Sequence, residues 1–242
     1  MRALLALLAL LAAPAAHAAC RDVTFEALPY TVCEAHAGED LRLFLSGPNG
    51  TYGGFTALNN DLARRGDTLA FAMNAGMFQP DLTPVGLYIE GNRQMQSIVT
   101  SDGPGNFGLL PNGVFCIGKR FSVIESRKFA KSPPACKYAT QSGPMLVIAG
   151  KLHPLFKKSS NSQHVRNGVG VSADGKTAYF AISNQAVNFD SFARLFRDLL
   201  HSPNALYFDG SVSRLYAADL GRSGAGFSIG PMVGLVLPKG GN

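Results

Sequence analysis

Gly168-Val169-Gly170-Val171-Ser172-Ala173-Asp174-Gly175-Lys176-Thr177-Ala178-Tyr179-Phe180-Ala181-Ile182-Ser183 is the stretch that decides the fold. Asp174-Gly175 between two β-rich runs is a strong short-range signal for a hairpin, because that pair accepts the positive φ a tight turn needs. A hairpin joins antiparallel neighbours, whereas a doubly wound fold needs a helix between successive strands.

Hairpin grammar recurs on both sides of this stretch. VTFEAL, TVCEAH and LRLFL read as strands within 20–45, and Gly47-Pro48-Asn49-Gly50 reads as a turn. LAFAM (69–73) is a buried strand, and VGLYIEG ends at a second turn, Gly91-Asn92. FGLL, VFCIG and FSVIE read as a meander, 126–142 as irregular, and MLVIAG as a further strand. The stretch 156–168 is basic and polar and has no period. ALYF (205–208) precedes a Gly-rich tail that carries FSIG and VGLVLP. Helical spacing appears twice. Phe55, Leu58 and Leu62 form one stripe that stops at Arg65-Gly66. Phe192, Leu195, Phe196, Leu199 and Leu200 form another, with Asp190 or Ser191 as its cap and Pro203 as its end. The sum predicts one α+β domain with a mainly antiparallel or mixed twisted sheet and a few helices.

Residues 1–18 stand apart. Arg2, the Leu/Ala run Ala3–Leu11 and Ala16-His17-Ala18 have the charge, length and small-residue pattern of a cleaved secretory leader. The run is too short to span a bilayer. Lipid attachment at Cys20 is disfavoured by His17, which would stand where a bulky apolar residue is expected. The expectation is a periplasmic or secreted domain over 19–242 with no stable membrane insertion. Loss of Arg2 with the leader lowers the formal charge from +6 to +5. That mild excess suits an anionic partner, and the lack of a Lys/Arg block argues against nucleic acid. The sequence does not fix the oligomeric state.

Four cysteines, Cys20, Cys33, Cys116 and Cys136, remain. In an oxidising compartment they predict two disulfides, and three pairings are open. Cys20–Cys33 with Cys116–Cys136 closes the shorter loops. No zinc spacing, EF-hand loop, P-loop or dinucleotide fingerprint is present, so neither metal nor cofactor is expected.

Three apolar runs end alike. LAFAM leads into Asn74-Ala75-Gly76-Met77-Phe78, AYFAI into Ser183-Asn184-Gln185, and ALYF into Asp209-Gly210-Ser211. Polar groups just past buried strands are a common way to build a rigid pocket, although turns use the same residues. With these go Pro84-Val85-Gly86-Leu87-Tyr88-Ile89-Glu90, Gln141-Ser142-Gly143-Pro144-Met145-Leu146, Arg166-Asn167-Gly168-Val169-Gly170 and Tyr207-Phe208-Asp209-Gly210-Ser211-Val212-Ser213. This ordered set, spanning roughly 68–237, resembles the phosphodiester glycosidase family, the group that includes the enzyme uncovering mannose 6-phosphate on lysosomal proteins. Ala75, Met77 and Ser211-Val212 depart from the family's more Gly- and Phe-rich pattern, which bears on substrate more than on reaction class.

The resemblance implies cleavage between a sugar's anomeric carbon and a phosphodiester oxygen. The leaving phosphate monoester needs little protonation, so the demand is for a carboxylate near an oxocarbenium-like carbon and a cation for the phosphate. Asp209 is the first candidate carboxylate and Glu90 the second. Asn74 is read as orienting a sugar hydroxyl or Asp209. Arg166, with a planar fork that matches phosphate, is read as the anion ligand, and His164 as a nearby acid or donor. Gln141, Ser142, Asn184 and Ser211 are secondary polar candidates, and Gly76 and Gly210 are positions where backbone approaches the ligand. The implied partner is a small-molecule or polymeric glycan phosphodiester. A non-catalytic protein binding an anionic glycan, or a phosphodiesterase breaking the phosphorus–oxygen bond, would draw on the same residues.

Overall fold

A computed structural model describes residues 19–238; the leader read at 1–18 lies outside them. The hairpin is present, with strands Asn167–Val171 and Thr177–Ser183 pairing antiparallel. It sits near the middle of a seven-stranded sheet. The order across this sheet is Cys20–Phe25, Leu28–His36, Thr177–Ser183, Asn167–Val171, Asn204–Asp209, Met145–Ile148 and Lys151–Leu152. A five-stranded sheet runs Phe121–Glu125, Gly113–Ile117, Tyr138–Ser142, Tyr88–Glu90 and Arg93–Gln96. A four-stranded sheet runs Leu215–Ala217, Asp67–Asn74, Met232–Pro238 and Leu41–Phe44. Every pair within these three sheets is antiparallel.

The seven-stranded sheet is covered on both faces, which explains why its strands read as unbroken apolar runs. In Asn204–Asp209, Leu206 and Phe208 enter the central core, while Ala205 and Tyr207 face the opposite side. The central core joins all three sheets. Phe180 lies 5.4 Å from Phe71 and 5.7 Å from Phe115, ring centre to ring centre, and Phe115 is edge-on to Phe208. Such tilted contacts let several large rings fill one space. The outer face of the seven-stranded sheet is covered by Phe192, Ala193, Leu195, Phe196 and Leu200. The first helix, α1 (Phe55–Arg64), buries Phe55, Leu58 and Leu62 against Leu69, Ala72 and Met232 of the four-stranded sheet.

Several local expectations are corrected. Residues 126–142 hold a second helix, α2 (Ser126–Lys131), and the strand Tyr138–Ser142. The Glu125 carboxylate accepts from the Arg127 and Lys128 amides and so starts α2. FGLL is a bent loop rather than a strand, held by the Asn112 side chain donating to the Phe107 carbonyl at 3.0 Å. The third helix, α3 (Phe189–Arg194), is capped by Asn188, not Asp190 or Ser191, and continues as a wider π-helical turn over Leu195–Leu199. The disulfides are Cys20–Cys33 and Cys116–Cys136, the pairing that closes the shorter loops.

Candidate active site

Two sheets end at one place. Asn167 pairs with Asp209 across the seven-stranded sheet, and Asn74 pairs with Met232 across the four-stranded one. The Asn167 side-chain amide donates to the Asn74 carbonyl at 2.7 Å and ties the sheets together there. Asn74 is fully buried. Its Nδ2 donates to Asp209 Oδ2 at 3.1 Å, and its Oδ1 accepts from the Arg214 amide at 3.0 Å. One side chain therefore fixes Asp209 and the start of the segment after it.

Asp209 is almost wholly buried. Its Oδ1 accepts from the amides of Gly210 at 2.5 Å and Ser211 at 2.8 Å. Oδ2 carries only the Asn74 bond among the described residues, so this oxygen retains acceptor capacity. Burial pushes the carboxyl above its usual range, and the Ser211, Gly210 and Val212 amides and the Asn74 side chain pull it part of the way back. Gly210 is constrained by contact: a Cβ there would stand 2.0 Å from the Tyr207 hydroxyl. Ser213 Oγ donates to the Asp209 carbonyl at 2.8 Å and closes the loop. The loop 210–214 walls one side of a cleft of about 360 Å³, and residues 225–227 wall the other.

The remaining sequence candidates divide. His164 is exposed, held by reciprocal backbone bonds to Val187, and its Cβ lies 3.5 Å from the position of a Cβ on Gly210, at the lip of this loop. Ser211 lines the cleft. Ser142 is buried behind it, donating to the Phe208 carbonyl at 3.0 Å. Gly76 adopts φ 146° close to Thr140 and Gln141. Glu90 is not joined to the Asp209 group. Its Oε2 accepts from the Leu45 amide at 3.2 Å and the Tyr88 hydroxyl at 2.9 Å. Gln141 is a buried tie, accepting from the Leu87 and Val99 amides. Asn184 lies in a separate depression of about 200 Å³ and bonds Thr31 and Arg222.

Arg166 stands differently from its reading as an anion ligand. It is fully buried, and its guanidinium stacks 3.7 Å over Phe189. Nε donates to the Val187 carbonyl at 2.8 Å, Nη2 to the Ser162 carbonyl at 2.9 Å and Nη1 to the Tyr207 hydroxyl at 3.3 Å. The protein itself takes up its fork. Asn167, Ser213 and Arg214 were given no role from the sequence. Their one signal there is position: Asn167 follows Arg166, Ser213 ends the Asp209 block and Arg214 comes directly after it. Among the described residues, no group of three His, Cys, Asp or Glu side chains converges as a metal site.

The sequence profile described as phosphodiester glycosidase matches residues 67–231, from the strand that delivers Asn74 to the residue before Met232. The chain belongs to the phosphodiester glycosidase family. It is thus a hydrolase of glycosidic type. It is 35% identical over 200 residues to YigE of Escherichia coli (strain K12), a protein itself uncharacterized, covering 82% of this chain and 77% of that one. It shares its fold with the zebrafish N-acetylglucosamine-1-phosphodiester alpha-N-acetylglucosaminidase catalytic domain auto-inhibited by its pro-peptide. That match has a TM-score of 0.60 at 14% identity, over 89% of this chain and 81% of that chain.

Proposed function

We propose that this protein is an exported glycosidase that hydrolyses a sugar-1-phosphodiester at the anomeric carbon–oxygen bond, with Asp209 as the carboxylate at the reacting carbon. The observation that carries this is the buried Asp209 beside the cleft, with Oδ2 left an open acceptor site by a single bond to Asn74. The carbon–oxygen bond breaks with its electron pair going to the phosphate monoester. Oδ2 stabilises the positive charge that develops on the sugar, and water supplies the hydroxyl of the product while its proton passes to solvent. The residues lining the cleft include no carboxylate, and Asp209 adjoins them through Gly210; a phosphate monoester leaves without a strong acid. Two disulfides and the leader-like residues 1–18 support export into an oxidising compartment, with 19–242 as the working domain. No described helix is long and apolar enough to cross a membrane.

The test is turnover of a panel of sugar-1-phosphodiesters in isotope-labelled water, with Asp209→Asn alongside. The expected result is label on the sugar and loss of at least about 100-fold in kcat for the folded variant. Label on the phosphate would move the reaction to the phosphorus–oxygen bond. A wild-type rate in folded Asp209→Asn would remove Asp209 from the chemistry.

A further inference from the structure

We propose that Arg214 and the glycine-rich strap 224–227 form the anion subsite of the cleft, with Phe227 presenting an apolar face to the group beyond the phosphate. The inference rests on the proposed sugar-phosphodiester reading and names the residues that would recognise the charge. Arg214 is the one charged residue among those lining the cleft. Its backbone amide donates to the same Asn74 side chain that holds Asp209, so one residue ties the carboxylate to the backbone that carries the cation.

The guanidinium is held rigidly but incompletely. Nε donates to the Gly224 carbonyl at 2.6 Å, Nη2 donates to that same oxygen, and Nη1 donates to the Phe227 carbonyl. Three of five N–H groups are thereby used, leaving two for an anion. Among the described residues no carboxylate pairs with Arg214, and Phe55 lies beneath it at 5.5 Å. Arg166 commits the same three nitrogens to protein acceptors but is fully buried, whereas Arg214 is only half-buried and lines the cleft. Burial disfavours the charged form of Arg214, a cost that a bound phosphate would offset.

The strap is shaped to the cation. Gly226 has φ 149°, and a Cβ there would stand 3.2 Å from Arg214 Nε. Gly224 has φ 60°, and a Cβ there would meet the Phe55 ring at 2.6 Å. Glycine at both positions lets the backbone lie against Arg214 and Phe55. Phe227 is then carried into solvent at 80% exposure, the most exposed large apolar side chain of the described residues. An exposed aromatic side chain at a cleft wall, on the residue whose carbonyl binds an unpaired guanidinium, suits an anion whose second ester group offers a flat apolar face, such as a pyranose ring.

The experiment measures binding rather than turnover, so its outcome is separate from whether Asp209 catalyses glycosidic cleavage. Inorganic phosphate and phenyl phosphate are titrated calorimetrically at constant ionic strength into wild type, Arg214→Gln and Phe227→Ala. The wild type is expected to bind both, phenyl phosphate about 3-fold or more the tighter. Arg214→Gln should weaken both by about 10- to 100-fold, the range for charge-assisted hydrogen bonds. Phe227→Ala should retain phosphate binding and lose the preference for the phenyl ester. Should Arg214→Gln fail to fold by circular dichroism, Arg214→Lys decides, since it keeps the charge and should lose about 3- to 10-fold. No phosphate binding by the wild type below about 50 mM, well above the weakest useful affinities, would overturn the subsite, as would unchanged affinity in the Arg214 variants. An undiminished phenyl preference in Phe227→Ala would overturn the role of the aromatic ring.

Discussion

Replacing Arg166 with alanine separates a structural arginine from an anion ligand. The side chain is fully buried and its hydrogen bonds end on Val187, Ser162 and Tyr207, with Phe189 stacked against its plane. Hydrogen bonds to a charged group contribute about 1.5–3 kcal/mol each, and removing one side leaves buried carbonyls unpaired. The lost volume adds a cavity cost of similar size to other large-to-alanine changes, about 2–5 kcal/mol. These terms overlap, since the wild type also bears the cost of burying a charge, which already holds the Arg166 pKa below its usual value. A net loss of about 4 kcal/mol is the reasoned figure. With a urea slope of about 2.5 kcal/mol/M, this lowers the unfolding midpoint by roughly 1.5 M. Arg166→Lys keeps the charge but not the fork and should fall between wild type and alanine. The assay is equilibrium urea unfolding followed by circular dichroism, with phosphate absent so that ligand binding contributes nothing. A midpoint for Arg166→Ala within about 0.2 M of wild type would refute the reasoning, because that is under 1 kcal/mol on the same slope.

Two further outcomes follow from the same structure. Burial raises the Glu90 pKa above its ordinary 4.5, with Tyr88 and Leu45 opposing. A raised carboxyl favours folding while protonated and loses that contribution as pH climbs through the folded pKa, so the stability of Glu90→Gln relative to wild type should grow from below pH 4.5 upward and then level off. Urea midpoints of both proteins across this window check it, and a relative stability that falls with pH would contradict the sign. Changing Cys116 and Cys136 together to serine opens a loop of sequence separation 20 and should cost about 3 kcal/mol, read as a lower thermal midpoint; free thiols at those positions in the unreduced protein would exclude the link.

Short-range grammar carried much of the fold. Asp174-Gly175 placed the hairpin, the Phe55, Leu58, Leu62 stripe placed α1, and four cysteines gave their pairing through loop length. Each of these depends on residues close in sequence. Where neighbouring residues competed, the sequence was ambiguous. Asn188, Asp190 and Ser191 can all cap a helix, and only packing selects Asn188. The site lay beyond such reasoning. Asn74 meets Asp209 across 135 positions, Arg214 across 140 and Asn167 across 93. The ordered motifs flagged Asp209 and Asn74 and offered Asp209 as one of two groups Asn74 could orient, but their contact exists only because strands from two sheets end together. Two arginines show the same limit. Residue type supplies a planar cation at both 166 and 214, and the tertiary structure encloses the first in Phe189, Tyr207 and backbone carbonyls while setting the second in the wall of the cleft. Side-chain chemistry is local, whereas burial depends on everything folded around it.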